Sequence, residues 1–224
     1  MPFKYICHII VTRKFSTDPS TAFLVSPTML LTAGHSAGEW RKIGTNKIQS
    51  VRVILFVHYE DSGTQKELAD ITYYRNQLKF GSHPNFCGNK CPESDYGYFK
   101  LPTDTLYKLT GGHFLIENYD SLKSKIDSVF ITGYPSDKQE IKDGSLWNKG
   151  DKIQNVFDSK NYLSHNLYTE TGDSGAPIWT YYNGKYYVIG IHNRGPENSD
   201  HPKCNGGRKI NAEAIRIIEQ WQNQ

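Results

Sequence analysis

The sequence predicts an all-β protein with one α-helix at its C-terminal end. Short segments alternate apolar and polar residues, and the clearest of them places Val51, Val53 and Leu55 on one face of a strand. The chain contains 19 Gly, 10 Pro and 15 Tyr, a composition that favours strands and turns over a helical bundle. Near the C-terminus the apolar residues recur instead at helical spacing. They are Ile210, Ala214, Ile217, Ile218 and Trp221.

Length and composition exclude several classes of protein. A chain of 224 residues forms one compact unit or two small ones, and it can bury a core without a metal or disulfide scaffold. A hydrophobic fraction of 37% and a charged fraction of 22% exclude a disordered chain. The longest apolar runs are too short to span a membrane, and a net charge of +3 does not suggest a nucleic-acid binder. We therefore expect neither a membrane nor a nucleic acid as a partner.

Turn signals separate the predicted strands. Besides the predicted strand Val51–Tyr59, similar alternating runs occur at Lys4–Val11, Ala22–Val25, Asp70–Tyr74, Tyr96–Leu101, Ser128–Tyr134, Lys152–Phe157, Leu163–Thr169, Ala176–Tyr181 and Lys185–Ile191. Asn183-Gly184 between two of them favours a type I′ hairpin, because both central residues need positive φ. Thr103–Gly112 is the expected boundary between two β units, and Asn211 is placed to cap the final helix.

Four cysteines leave two chemistries open. Cys87 and Cys91 lie four residues apart, either as a small disulfide ring or as thiols. A zinc cluster with His83, His201 and Cys204 is the weaker alternative, because the tight Cys-x-x-Cys pairs of structural zinc sites are absent. We expect no metal site and no organic cofactor.

The N-terminal segment shows no signal-peptide pattern. One lysine precedes only a short apolar stretch, Tyr5 to Val11, with no cleavage site after it. The expectation is a secreted protein if a leader lies outside this sequence, and a cytoplasmic one if the chain starts at Met1.

The string Gly172-Asp173-Ser174-Gly175-Ala176-Pro177 is the most informative part of the sequence. A serine between glycines on a tight turn has an exposed hydroxyl, and small neighbours allow a substrate backbone to approach. The amides of Gly172 and Ser174 can then point at one spot and form an oxyanion hole. This string predicts a nucleophilic serine, Ser174.

Two further segments supply a base and an orienting acid. Thr32-Ala33-Gly34-His35 follows an apolar run, so His35 lies just past a strand end, where a neutral imidazole can accept a proton. Asp95 stands at the head of an otherwise apolar strand and is expected to orient His35. Taken singly, a surface histidine and a turn aspartate are equally good explanations of these two residues.

The three segments together, in the order His35, Asp95 and Ser174, resemble the chymotrypsin-like serine peptidases. The resemblance covers nearly the whole chain. It implies two antiparallel six-stranded Greek-key β-barrels, residues 3–105 with His35 and Asp95 and residues 112–210 with Ser174, followed by a helix at 211–222. It also implies a monomeric serine endopeptidase that acts on protein or peptide substrates through an acyl-enzyme.

Other residues resemble the bacterial glutamyl endopeptidases of the staphylococcal type. The Gly-Tyr-Pro-Ser-Asp-Lys string at 133–138, with Trp147, Gly150 and Ile153 after it, is one match, and Gly-Ile-His at 190–192 is another. In that group the equivalents of Thr169 and His192 bind an acidic side chain. Tyr168 stands where trypsin-type enzymes have an aspartate, so Lys and Arg should not be selected. Arg194 adds positive potential nearby.

Departures from the pattern mark the open questions. Ser36 replaces the cysteine that follows the histidine in the animal enzymes, and Asn193-Arg194-Gly195 replaces the Trp-Gly-Gly of the glutamyl group. Asp173 matches the aspartate that trypsin-like zymogens pair with a newly cut N-terminus. Two alternatives stay open: a catalytically silent pseudopeptidase that serves as a binding module, and an active peptidase with broad, non-acidic specificity.

Overall fold

A computed structural model describes residues 2–39, 47–58, 65–88, 90–136, 146–195 and 204–224. Its fifteen described strands form two sheets, antiparallel except at one two-residue strand, so the expectation of an all-β fold with a C-terminal helix is confirmed. No helix within the described ranges is long and apolar enough to cross a bilayer.

The first sheet has seven strands in the order β5-β4-β1-β2-β3-β7-β6. Their bounds are β1 Ile6–Arg13, β2 Thr17–Ser26, β3 Met29–Thr32, β4 Ile48–His58, β5 Gln65–Tyr74, β6 Lys79–Ser82 and β7 Gly97–Lys100. The predicted alternation holds in β4, where Val51, Val53 and Leu55 are fully buried and Arg52 is exposed. Short helices occupy Pro2–Tyr5, Arg75–Gln77 and Pro92–Ser94, and α1 occupies Gly34–Ala37.

The second sheet has eight strands, seven of them in the order β10-β9-β13-β14-β15-β12-β11, with β8 parallel to β14. Their bounds are β8 Leu115–Ile116, β9 Ser128–Gly133, β10 Trp147–Lys152, β11 Phe157–Asp158, β12 Tyr162–His165, β13 Pro177–Tyr182, β14 Lys185–Arg194 and β15 Asn205–Lys209. The described sheets thus exceed six strands each, because the short strands β6, β8 and β11 join them. The β13–β14 hairpin turns at Asn183 and Gly184 with φ of 47° and 77°, as predicted.

Three stretches differ from the sequence expectations. In the predicted strand Leu163–Thr169, β12 ends at His165 and the residues after it form no strand. Residues 152–157 are not one strand: Ile153–Asn155 form a short 3-10 helix between β10 and β11. The boundary segment contains a helix, α2 (Thr105–Thr110), which ends at Gly111 in the left-handed conformation with φ of 66°. Another short helix, α3, occupies Tyr119–Leu122.

Cys87 and Cys91 form a disulfide, while Cys7 and Cys204 are buried thiols. Cys204 lies 3.2 Å from Asn166 Oδ1. Within the described ranges no three His, Cys, Asp or Glu side chains converge as metal ligands, and His201 lies outside those ranges.

The C-terminal helix, α4 (Ala212–Gln222), packs on the first sheet. Its predicted apolar face is buried, and Asn211 caps its first turn by accepting a hydrogen bond from the Ala214 amide at 3.0 Å. Trp221 stacks on Tyr98 with ring centroids 4.9 Å apart and lies 5.4 Å from Tyr96. The helix therefore covers the strand that follows Asp95, which the sequence left undecided.

We predict that Trp221→Ala lowers the free energy of unfolding by about 3–5 kcal/mol, because the indole is buried against two aromatic rings. Urea unfolding of the variant and the wild type measures the loss. Leu109→Ala, at a side chain that is 45% exposed, is the control and should change stability by less than about 0.5 kcal/mol. Equal effects of the two substitutions would contradict the packing of α4.

Candidate active site

His35 and Asp95 meet because their segments adjoin neighbouring strands. His35 lies in α1 directly after β3, and Asp95 lies directly before β7, which pairs with β3 through Thr32 and Gly97. The Asp95 carboxylate accepts two hydrogen bonds from the histidine. Oδ1 lies 2.8 Å from the backbone nitrogen of His35, and Oδ2 lies 2.9 Å from Nδ1. Both the position and the ring orientation of His35 are therefore fixed by one carboxylate.

The close approach depends on a glycine that the sequence places before the histidine. A Cβ at Gly34 would lie 2.8 Å from the Tyr96 nitrogen and 3.0 Å from Asp95 Oδ1. A larger residue would push the two segments apart. Gly34 is thus a local signal of this contact.

The electrostatics of His35 result from opposing effects. Burial lowers the pKa of His35, but the charge and hydrogen bond of Asp95 outweigh burial, so the net pKa lies above its usual value of 6.5. The Arg13 guanidinium lowers this pKa and the Asp18 carboxylate raises it. The ring is 32% exposed, while the Asp95 side chain is almost enclosed at 8%. The arrangement favours an imidazolium ion more than water does.

Ser174 lies in a tight turn that both sheets hold. Gly172 and Gly175 take positive φ of 96° and 87°, and a Cβ at Gly175 would collide with backbone and side-chain atoms of Thr21 and Thr32. The Thr21 amide donates to the Ser174 carbonyl at 2.9 Å, and the Gly175 amide donates to the His192 carbonyl at 2.7 Å. The Gly-Asp-Ser-Gly string is needed for this geometry.

Neighbouring amides in the turn differ in their partners. The N–H groups of Asp173 and Ala176 donate within the turn, to Glu170 and Asp173. In the described part of the chain, the amides of Gly172 and Ser174 have no such acceptor. Two unpaired amides beside one serine suit a developing oxyanion.

A cleft of about 420 Å³ brings the candidate residues together. Its walls include His35, Asp95, Gly172, Ser174 and Arg194. The β1–β2 hairpin, through Arg13, Ser16 and Asp18, forms another part of the lining. A polypeptide can therefore reach Ser174 and His35 from one open face.

Three residues that the sequence assigned to specificity do not line this cleft in the described part of the chain. His192 is 3% exposed in β14, and its ring centroid lies 5.7 Å from that of buried His165. Burial first, and then the charges of His165 and His35, lower its pKa well below 6.5. Tyr168 is 47% exposed and has Lys149 Nζ 3.8 Å from its ring centroid, and Thr169 is half-buried.

Two residues that the sequence did not assign to the site hold the Asp95 turn. Asn193 Nδ2 donates to the carbonyls of Pro92 and Asp95 at 2.9 and 3.0 Å. Arg208, only 2% exposed, donates from Nη1 to the Glu93 carbonyl at 2.9 Å. Both belong to the second sheet, so no local signal around Asp95 could have revealed them.

Arg208 also reaches the C-terminal helix. Its Nη2 donates to Asn211 Oδ1 at 3.0 Å and forms an ion pair with Glu213 at 3.3 Å. One buried guanidinium therefore connects the Asp95 turn to the cap of α4.

Asp173 is a buried carboxylate beside the nucleophile turn. It is 6% exposed, and its Oδ2 accepts a hydrogen bond from the Glu170 amide at 3.0 Å. Its Oδ1 has no hydrogen-bond partner among the described residues. Burial raises the pKa of Asp173 to about 6, against the opposing effects of the Glu170 amide and the Lys149 charge.

The two sheets and the C-terminal helix form the fold of the trypsin-like serine peptidases. The sequence profile of the trypsin family matches residues 3–214, and the chain belongs to that family. A structure of a Glu endopeptidase in complex with MPD superposes with a TM-score of 0.73 at 20% identity, covering 100% of this chain and 92% of that one. The thermostable serine protease AL20 from an extremophilic microorganism gives a TM-score of 0.71 at 12% identity, with 99% and 98% coverage.

Sequence similarity to an individual relative is more limited. The glutamyl endopeptidase of Staphylococcus epidermidis is 36% identical over 72 residues. That match spans 32% of this chain and 23% of the relative.

We predict that Asp173→Asn stabilises the protein more at pH 7 than at pH 4. The carboxyl group has a pKa of about 6 in the folded chain against the ordinary 3.8, so the folded state binds its proton more tightly. The stability contributed by this group therefore falls as pH rises between those two values. The difference between variant and wild type in urea unfolding should grow by on the order of 1–3 kcal/mol. A difference that does not vary with pH would contradict a buried carboxylate with a raised pKa.

Proposed function

We propose that the protein cleaves peptide bonds through an acyl-enzyme on Ser174, with His35 as the general base and Asp95 as its orienting acid. The observation that best supports this proposal is the pair of hydrogen bonds from His35 to Asp95 in the same cleft as Ser174. Asp95 accepts from Nδ1, so the other ring nitrogen, Nε2, is left to accept a proton.

The first half of the reaction forms an ester and releases an amine. Ser174 Oγ attacks the scissile carbonyl carbon while its proton passes to His35 Nε2. The carbonyl oxygen gains negative charge, which the amides of Gly172 and Ser174 stabilise. The C–N bond then breaks, and His35 gives its proton to the leaving nitrogen.

The second half regenerates the enzyme. Water enters from the open cleft, loses a proton to His35 and attacks the ester carbon. The C–O bond to Ser174 breaks, and the proton returns from His35 to Ser174 Oγ. Because the Asp95 charge favours the imidazolium form, it lowers the free energy of both charged transition states.

For specificity we propose cleavage after Glu, and less efficiently after Asp. The partial similarity to a glutamyl endopeptidase and the absence of an acidic residue at Tyr168 support this choice. Thr169 and His192 supply hydrogen-bond donors, and Arg194 supplies a positive charge on the cleft wall. His192 is buried and its pKa is low, so it acts as a neutral donor until a carboxylate approaches.

A broad, non-acidic preference is the second candidate. The observation that favours it is the burial of His192 and the position of Thr169 and Tyr168 outside the described cleft lining. In that case Arg194 would be the one member of the set in contact with substrate.

We predict that Ser174→Ala removes both peptide hydrolysis and labelling by a fluorophosphonate probe, because the substitution removes the nucleophile. The rate should fall by several powers of ten, while the fold and the thermal midpoint stay close to those of the wild type. Ser121→Ala, at an exposed serine in α3, is the matched control and should label fully. Labelling of Ser174→Ala at the wild-type rate would contradict the assignment.

We predict that the wild type cleaves a peptide with Glu before the scissile bond about 10–100 times faster than its Gln counterpart, since a charge-assisted hydrogen bond is stronger than a neutral one. Thr169→Val and His192→Ala should each reduce this ratio. The ratio should also fall at high pH, because a bound carboxylate favours protonated His192. Equal rates for Glu and Gln would contradict the acidic preference and leave the serine-peptidase mechanism intact.

A further inference from the structure

Arg13 is a buried arginine at the edge of the active-site cleft. It ends β1 and is 8% exposed. Its Nη2 donates to the carbonyls of His35 and Ser36 at 3.1 and 2.7 Å, and its Nη1 forms an ion pair with Asp18 at 2.7 Å. Two of these contacts are with the turn that carries His35, and the third is with Asp18 of the β1–β2 hairpin.

The two carbonyls belong to a helix of a single turn. In α1 the amides of Ala37 and Gly38 donate back to Ala33 and Gly34. The last carbonyls of any helix have no partner within the helix, and here they include those of His35 and Ser36. Nη2 satisfies both carbonyls while Nη1 holds Asp18, so the planar guanidinium binds the turn and the hairpin together, which a point-charge ammonium does less well.

No disulfide holds this turn, because Cys87 and Cys91 pair with each other and Cys7 and Cys204 are thiols. Ser36, where the animal enzymes have a cysteine, instead lies 2.8 Å from the hydroxyl of Ser20 on β2. Arg13 and Ser20 therefore approach the turn from neighbouring strands, and only Arg13 contacts His35 itself.

We infer that Arg13 is a positioning residue for His35: it fixes the turn so that the imidazole is held against Asp95 in the cleft that Ser174 also lines. The inference rests on the proposed role of His35 as general base. Arg13 holds the backbone and touches neither the substrate nor the reacting atoms.

The charge of Arg13 affects the pKa of His35, which would not change if Arg13 had a purely structural role. The charged groups facing His35 are Asp95 before β7, Arg13 on β1 and Asp18 on β2, and His192 of β14 is a further titratable group that interacts with His35. Arg13 opposes the two carboxylates and lowers the pKa of His35. Loss of the arginine charge should therefore raise that pKa, and the acidic limb of activity should move to higher pH.

Two variants separate geometry from charge. Arg13→Lys keeps the charge and removes the fork, so kcat should fall about tenfold or more with little change in KM and an unmoved acidic limb. Arg13→Met removes both, so kcat should fall and the acidic limb should also move to higher pH. Arg52→Met is the matched control, because Arg52 is a half-exposed arginine paired with Asp70 in the same sheet, and it should change neither quantity.

The pKa of His35 is measured independently of activity by NMR titration in the Ser174→Ala background. The inference predicts a higher pKa in Arg13→Met than in Arg13→Lys or Arg52→Met. A folded Arg13→Lys with wild-type kcat, or an Arg13→Met whose thermal midpoint falls while the His35 pKa does not move, would overturn it. If Arg13→Met does not fold, the kcat of Arg13→Lys decides. If a fluorophosphonate probe does not label the wild type, the proposed function is refuted. The NMR titration would still test the effect of Arg13 on the pKa of His35.

Discussion

The double hydrogen bond between His35 and Asp95 is the contact on which the rest of the cleft depends. One carboxylate holds the backbone amide of the histidine at 2.8 Å and its ring nitrogen at 2.9 Å, so the side chain cannot rotate without losing a charged partner. Desolvation disfavours a charged imidazole here, and the adjacent carboxylate more than compensates. The same contact thus sets the direction of the ring, its tautomer and the stability of its protonated form. A glycine at position 34 is sterically required for this approach, since a side chain there would crowd Asp95 Oδ1.

Residues of each sheet form hydrogen bonds with the part of the site that is attached to the other sheet. Asn193 and Arg208 of the second sheet bind the carbonyls of the turn that bears Asp95. In return, Thr21 of the first sheet donates its amide to the Ser174 carbonyl and its hydroxyl to the Gly172 carbonyl, both at 2.9 Å. These polar contacts are largely buried, where an unsatisfied group is costly, so they fix the relative placement of the two sheets. The C-terminal helix strengthens the arrangement through Trp221 and the Arg208–Asn211 hydrogen bond.

Local patterns in the sequence predicted the parts of the structure that depend on local physics. The period of α4, its Asn211 cap and the Asn183-Gly184 hairpin follow from backbone preferences, and the structure contains all three. The segments around His35 and Ser174 were singled out for their small residues at tight turns, and Asp95 for its place at the head of an apolar strand. Their order and the resemblance to chymotrypsin-like peptidases joined the three. Arg13 and Arg208 were missed, because a buried arginine has no recognisable signal until the carbonyls that surround it are known. The sequence places His192 at a strand end and leaves a packed strand residue as one explanation, but its burial beside His165 depends on β12, which lies two strands away in the sheet.

In the proposed mechanism Asp95 holds His35 with its proton on Nδ1, which leaves Nε2 to accept the Ser174 proton. Nitrogen-15 NMR of the histidine rings tests this directly at a pH where His35 is neutral, with its signals identified by comparison with a His35→Gln variant. We expect a protonated Nδ1 coupled to its hydrogen and an unprotonated Nε2 in the protein without substrate. A neutral His35 that carries its proton on Nε2 would contradict the account, because Nδ1 would then face the Asp95 carboxylate without a hydrogen to donate.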